Sequence, residues 1–212
     1  WTGTSPCWID HGLDPMKRST DSILATHTGS LPRSDDLLRL LRMKEEGGDV
    51  DAAAFQKVVV EAVEDTVARQ IAAGLSVVND GEQGKPGYTV YIKDRLDGFG
   101  GDSTLRKQAD AEDFPEFYAR QERFAGSFVR RPACVGPVAW KDRDAVFRDI
   151  EALKIATEGV AADEMFMTAP SPGVAADYHE DRYYGSEEAY VYALADVLKH
   201  EYDAIHEAGF LL

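Results

Sequence analysis

The sequence predicts a parallel α/β fold, either a (β/α) barrel or a doubly wound sheet, and three observations carry that prediction. First, four stretches share one layout, a short apolar run followed by Gly, Pro and small polar residues. They are Ile23-Leu24-Ala25 into Thr26-His27-Thr28-Gly29-Ser30, Leu75 to Val78 into Asn79-Asp80-Gly81-Glu82, Ala133-Cys134-Val135 into Gly136-Pro137, and Met165-Phe166-Met167 into Thr168-Ala169-Pro170-Ser171-Pro172-Gly173. Second, amphipathic helical segments lie between these stretches, and alternating strands and helices build parallel sheets with chemistry at the carboxyl ends of the strands. Third, Ala72-Ala73-Gly74-Leu75 and Glu207-Ala208-Gly209-Phe210 each end a helix on Ala-Gly and pass at once into an apolar run. That is a weak internal repeat, of the kind a recurring βα unit produces.

Composition narrows the function classes. The 212 residues suffice for a substantial core in one domain or at most two, and 44% hydrophobic residues is too many for disorder. A formal charge of −15 opposes a nucleic-acid partner, because a phosphate backbone would be repelled at long range. No apolar run approaches the roughly 20 residues of a membrane span. Cys7 and Cys134 are far apart, which suits a reducing cytoplasm better than a disulfide scaffold.

Taken in order, residues 1–15 (WTGTSPCWIDHGLDP) look foreign, since they show no helical or strand period. They read as an extraneous or disordered arm, and 16–212 as the structured part. Asp51 is a suitable N-cap for a helix from about Ala52 to Ala73, with Phe55, Val59, Val63, Val67 and Ile71 recurring at four-residue steps and Gly74 ending it. Between Gly84 and Arg130 lies a polar excursion longer than a standard βα connection. It is expected to hold short helices, such as Phe114 to Arg123, and to cover the mouth of the site. A helix is expected over Arg143 to Thr157 on Val146, Ile150 and Leu153. Ser186 caps a last helix lined by Val191, Leu194, Leu198 and Ile205. Gly209 closes that helix, and Phe210-Leu211-Leu212 starts a strand. The count is four strands complete and a fifth begun, against eight in a closed barrel, so the chain reads as the first part of a larger domain.

The strand ends hold the candidate chemistry. Glu82 directly follows Asn79-Asp80-Gly81 after the strand Leu75-Ser76-Val77-Val78, where a carboxylate can accept from a cationic or amide ligand or act as a base. The alternative is that Asp80 and Glu82 cap the next segment or pair with Lys85 or Arg95. His27 ends the first strand beside Gly29-Ser30, whose backbone N–H groups and hydroxyl suit a carboxylate or phosphate. A lone histidine is more often structural than catalytic. His200 and His206 read as solvated, and His179 sits in a loop with Tyr178, Tyr183 and Tyr184 that stacks on a flat ligand or packs the loop. No metal-ligand spacing, no Gly-x-Gly-x-x-Gly and no Gly-x-Ser-x-Gly is present.

Four motifs stand in one order: Thr26-His27-Thr28-Gly29-Ser30-Leu31-Pro32-Arg33, Asn79-Asp80-Gly81-Glu82-Gln83, Cys134-Val135-Gly136-Pro137, and Met167-Thr168-Ala169-Pro170-Ser171-Pro172-Gly173. In that order the chain from about Ile23 resembles the cobalamin-independent methionine synthase-like family, in its short single-barrel branch. The resemblance implies a (β/α)8 TIM barrel, of which this chain would supply about the first four βα units and the start of strand five. It also implies zinc-dependent transfer of a methyl group from a methylated folate or related donor to the thiol of homocysteine or a related thiol, in the cytoplasm. By position, Gly29 and Ser30 would hold the amino-acid carboxylate, and Glu82, with Asp80 and His27 nearby, the amino-group or pterin side. His27 departs from the Thr usual in the long synthases. The family's zinc ligands fall outside this chain, which is therefore expected to bind zinc weakly, to be inactive alone and to self-associate. A lyase or decarboxylase on the same barrel type, using Arg130-Arg131 for carboxylates, and a non-catalytic binding module are the alternatives.

Overall fold

Two 21-residue helices set the frame, and both begin where the sequence places a cap. In a computed structural model describing residues 16–103, 110–124 and 130–212, the elements run α1 (Asp35–Glu45), α2 (Ala52–Ala72), β1 (Val77–Asn79), α3 (Ile92–Arg95), β2 (Leu96–Gly100), α4 (Pro115–Phe124), β3 (Ala133–Trp140), α5 (Ala145–Thr157), β4 (Glu164–Phe166), α6 (Pro172–Tyr178) and α7 (Glu187–Glu207). The expected arm over 1–15 lies outside the described residues. Asp51 accepts from the N–H of Ala54 at 2.7 Å to start α2, and Ser186 accepts from Ala189 at 3.2 Å to start α7. α1 was not anticipated. Ser34 caps it through Leu37 N–H, and Asp35 and Asp36 sit in its positive first turn.

β1 and β4 pair in parallel, with Val77 opposite Glu164 and Asn79 opposite Phe166. Thr26 bridges Val77 and Leu211 bridges Phe166, also in parallel. The parallel row therefore runs from the Thr26 segment through β1 and β4 to Leu211. Its two faces separate by strand alternation. Val78, Met167 and Phe210 are buried among Val59, Val63, Val67, Ile150, Leu153 and Ile205 from α2, α5 and α7. Val77, Glu164, Phe166 and Leu211 consequently occupy the face away from these helices. α2 and α5 both run back along the row, so their N-termini lie at the carboxyl end of the strands.

The third expected strand does not join this row. Ala133–Trp140 pairs antiparallel with β2, Leu96 opposite Trp140 and Gly100 opposite Ala133. The physical reason is connectivity. A parallel neighbour needs a crossover helix, whereas Gly84 to Arg130 supplies the short α3 and α4 and, in Leu96 to Gly100, a strand that can fold back. The pairing is irregular between Asp97 and Phe99, at Gly98 with φ +97, where a Cβ would stand 2.7 Å from the Pro137 carbonyl oxygen. As a result Leu211 takes the fourth place in the parallel row rather than the fifth. Leu96, Cys134, Val138, Tyr190, Leu194 and Leu198 form a second apolar cluster between this hairpin and α7.

Candidate active site

Three strand ends converge on one carboxylate. Ser30, four residues past the Thr26 bridge, donates from Oγ to Glu82 Oε2 at 2.5 Å, and Thr168, two residues past β4, donates from Oγ1 to Glu82 Oε1 at 3.1 Å. Glu82 is 2% exposed and has φ +56, a left-handed backbone that a non-glycine residue seldom adopts. Ser30 and Glu82 therefore lie together at the carboxyl ends of adjacent parallel segments.

The turn beneath Glu82 is built from its own side chains and from the neighbouring strand. Asn79 Oδ1 accepts from Gly81 N–H at 2.7 Å, and Asp80 Oδ1 accepts from Glu82 N–H at 2.9 Å. Asn79 Nδ2 donates to the His27 carbonyl at 2.9 Å, and Leu31 N–H donates to the Gly81 carbonyl at 3.0 Å. Gln70 of α2 grips the backbone of Asn79 from both sides, donating to its oxygen at 2.8 Å and accepting from its N–H at 3.2 Å. Burial raises the Asp80 carboxyl above its ordinary value, against the opposing pull of Lys85. Lys85, 1% exposed, donates from Nζ to the Thr168 carbonyl at 2.7 Å and lies 4.7 Å over the Tyr91 ring. Glu82 and Lys85 thus hold the two polar ends of Thr168.

The site residues expected from sequence separate under this geometry. Gly29, with φ +87, makes the turn that delivers Ser30. Asp80 caps its own turn, one of the two roles left open for it. Arg95 pairs with Asp149 and with Glu201, the latter at 3.1 Å, and is not a partner of Glu82. His27 is half-buried, its Nε2 3.1 Å from the Gly29 carbonyl, beside a groove of ≈ 420 Å³ that it shares with Leu31, Thr66 and Gln70. His200 is not freely solvated, because its ring packs 5.0 Å from Trp140 and 5.8 Å from Phe147. His179 is fully buried with Nδ1 2.8 Å from the Pro132 carbonyl, and burial lowers its pKa. Tyr184 stacks on Tyr190 at 5.6 Å, so the aromatic group packs the loop.

Sequence reasoning missed Thr168 and Arg33 as members of the site. Thr168 carried a usable signal, being the first polar residue after an apolar strand run. Gln70 carried one as well, since it is a polar residue on the buried stripe of α2.

A cavity of ≈ 530 Å³ lies between the N-terminal ends of α2 and α5, walled by Gly84, Pro86, Tyr91, Arg95, Arg148 and Asp149 among others. None of Ser30, Glu82 or Thr168 lines it, and four of its charged residues pair off, Arg95 with Asp149 and Arg148 with Asp142. The strand-end cluster is therefore the candidate site. Among the described residues no group of three or more His, Cys, Asp or Glu side chains can hold a metal ion. Cys134 is buried in the second apolar cluster, its Sγ 3.3 Å from the Gly136 carbonyl, and burial raises its pKa. No described helix is long and apolar enough to cross a membrane.

Comparisons with known proteins bear on the fold. No family model matches the chain. Over 74 residues, 35% of the chain, it is 32% identical to a 5-methyltetrahydropteroyltriglutamate–homocysteine methyltransferase of Aeromonas salmonicida, of which it covers 10%. Its fold is similar to that of a B12-independent methionine synthase from Shewanella, solved in complex with selenomethionine, with a TM-score of 0.58 and 20% identity over 76% of this chain and 42% of that one. A putative vitamin-B12-independent methionine synthase from Listeria monocytogenes superposes with a TM-score of 0.53, again at 20% identity, over 87% of this chain and 48% of that one. The chain thus spans a tenth of the curated relative and under half of these two solved structures.

Proposed function

We propose that this chain forms the amino-acid-holding part of a methionine synthase-like methyltransferase, an arc of a (β/α)8 barrel in which Ser30 and Glu82 bind, respectively, the α-carboxylate and α-amino groups of homocysteine. The observation that carries the reading is the Ser30–Glu82 bond at adjacent strand ends. A hydroxyl donor and a carboxylate acceptor that satisfy each other form the complement of a zwitterion. An entering amino acid replaces one bond by two, its ammonium donating to Glu82 and its carboxylate accepting from Ser30 and the N–H groups of the Gly29 turn. Thr168 keeps Glu82 oriented during the exchange, and the buried position strengthens both contacts. The names of the curated relative and the solved structures support methyl transfer to homocysteine as the reaction.

Zinc, which the resemblance implies for activating the thiol, does not fit the described residues, since no three-ligand group is present among them. The chain's own contribution is to bind and orient the amino acid so that its side-chain thiol points along the face of the parallel row away from α2, α5 and α7. The donor, a methylated folate in this reading, meets that thiol in the complete barrel. The 212-residue chain alone is expected to hold the amino acid without turnover, and to self-associate through Val77, Phe166 and Leu211.

Calorimetric titration with L-homocysteine and L-methionine tests the reading. Glu82→Gln and Ser30→Ala should each weaken binding about tenfold, the worth of a charge-assisted hydrogen bond. Undiminished affinity in both variants would place the amino acid elsewhere. A homocysteine methylation assay, with metal analysis after dialysis, tests the remainder, and turnover or one tightly held zinc per chain would show that the site is misplaced.

A further inference from the structure

The geometry points to Arg33 as the positioning residue of this site, a guanidinium that fixes the strained Glu82 turn so that its carboxylate faces Ser30 and Thr168. Arg33 Nη2 donates to the Glu82 carbonyl at 2.6 Å and to the Lys85 carbonyl at 2.8 Å, and Nε donates to the Gln83 carbonyl at 3.3 Å. One side chain therefore holds three carbonyls within four consecutive residues, and those residues include the one non-glycine position with positive φ among the described residues. Arg33 follows Ser30 by three positions, so the turn that presents the hydroxyl also carries the clamp on the turn that presents the carboxylate. Leu31 N–H on Gly81 and Gln83 Nε2 on the Leu31 and Pro32 carbonyls close the same seam.

The arrangement needs the fork of an arginine. A planar guanidinium reaches several acceptors at fixed angles, whereas a lysine ammonium is a single point on a flexible stem. Arg33 also places positive charge beside Glu82 and Asp80, and burial holds it below its ordinary pKa against their pull. Lysine keeps that charge but loses the geometry, which separates the two contributions.

The ligand side of this inference rests on the reading that Glu82 binds an amino-acid ammonium, and the test keeps the two apart. Hydrogen exchange in the ligand-free chain follows the amides of Glu82, Gln83 and Lys85, each bonded inside the turn. Arg33→Lys and Arg33→Gln should both speed their exchange on the order of tenfold, a local opening, while amides of α7 keep the wild-type rate. In parallel titrations with L-homocysteine, Arg33→Lys should bind at least about tenfold more weakly than wild type. Unchanged turn exchange in Arg33→Lys overturns the positioning role, whatever the titrations show. Faster exchange in α7 as well overturns it too, because the effect would then be global. Wild-type affinity in Glu82→Gln with rapid turn exchange in Arg33→Lys rejects the amino-acid reading and keeps the clamp.

Discussion

Removing the Arg95 guanidinium should cost this fold about 3 kcal/mol, and the figure follows from what it leaves behind. Arg95 donates to Glu201 at 3.1 Å and pairs with Asp149, while its guanidinium carbon lies 4.4 Å over the Tyr91 ring. Burial lowers its pKa, but Asp149 and Glu201 more than reverse that and hold it above its ordinary value. Glu201 has a side chain 1% exposed, and among the described residues its Oε2 has no hydrogen-bond partner, so Tyr91 would remain its one support there, donating to Oε1 at 2.5 Å. Breaking one side of a buried ion pair costs about 3–5 kcal/mol. Asp149, at 12% exposure, can rehydrate in part, which places Arg95→Met near the lower end of that range. With a urea slope of about 2 kcal/mol per M, the unfolding midpoint should fall by roughly 1.5 M. A buried pair replaced by apolar residues of similar volume is often neutral, so Arg95→Met with Glu201→Met should be less destabilised than Arg95→Met alone. A midpoint shift below about 0.5 M in the single variant, or a double variant worse than the single, would refute the reasoning.

Further consequences follow from burial and backbone. Burial raises Asp80 above 3.8, so the folded chain holds that proton where the unfolded chain has released it, and its contribution to stability falls as pH rises from about 3.8 through the raised value. Urea titrations of Asp80→Asn should show the variant gaining on wild type between pH 4 and 7; a constant difference would contradict this. His179 has the opposite sense. Its lowered pKa means that stability is complete above 6.5 and is lost as pH falls below it, so His179→Phe should flatten the loss on acidification to pH 5, measured by thermal melts. Gly98→Ala, with φ +97 and a Cβ 2.7 Å from the Pro137 oxygen, should destabilise by more than about 1 kcal/mol, and by more than Gly101→Ala, which shares a positive φ (+61) but whose Cβ would meet nothing within 4 Å, both read from denaturant unfolding.

What was legible in the sequence was local. The caps Asp51 and Ser186 and the apolar residues recurring at helical spacing after them fix α2 and α7, because a helix draws its signals from its own neighbours. The α1 signal at Ser34 with Leu37 and Leu41 was equally local and was passed over. Strand partnership was not legible. Ala133-Cys134-Val135 reads as apolar whether its neighbour is parallel or antiparallel, and only Leu96 to Gly100, nearly forty residues earlier, decides which. The site divides in the same way. Ser30 and Glu82 show in the strand-end pattern, whereas Thr168 joins them only once β4 is known to lie beside β1.

The backbone of Glu82 links these levels. A left-handed conformation costs a non-glycine residue roughly 1–2 kcal/mol, and Gly81 beside it, at φ +60, shows that this turn already has one residue free of that cost. Strain of this kind persists where the surroundings over-determine it. Here they do, through Asp80 on the Glu82 N–H, Arg33 on the Glu82 carbonyl, and Ser30 and Thr168 on the carboxylate. Each constraint comes from a different segment, so the position of the carboxylate records the alignment of the Thr26 segment, β1 and β4. A cap for the following residues would need none of this, because Asp80 already supplies one. The extra constraints aim a buried acceptor at the strand ends, and that is the arrangement a ligand ammonium requires.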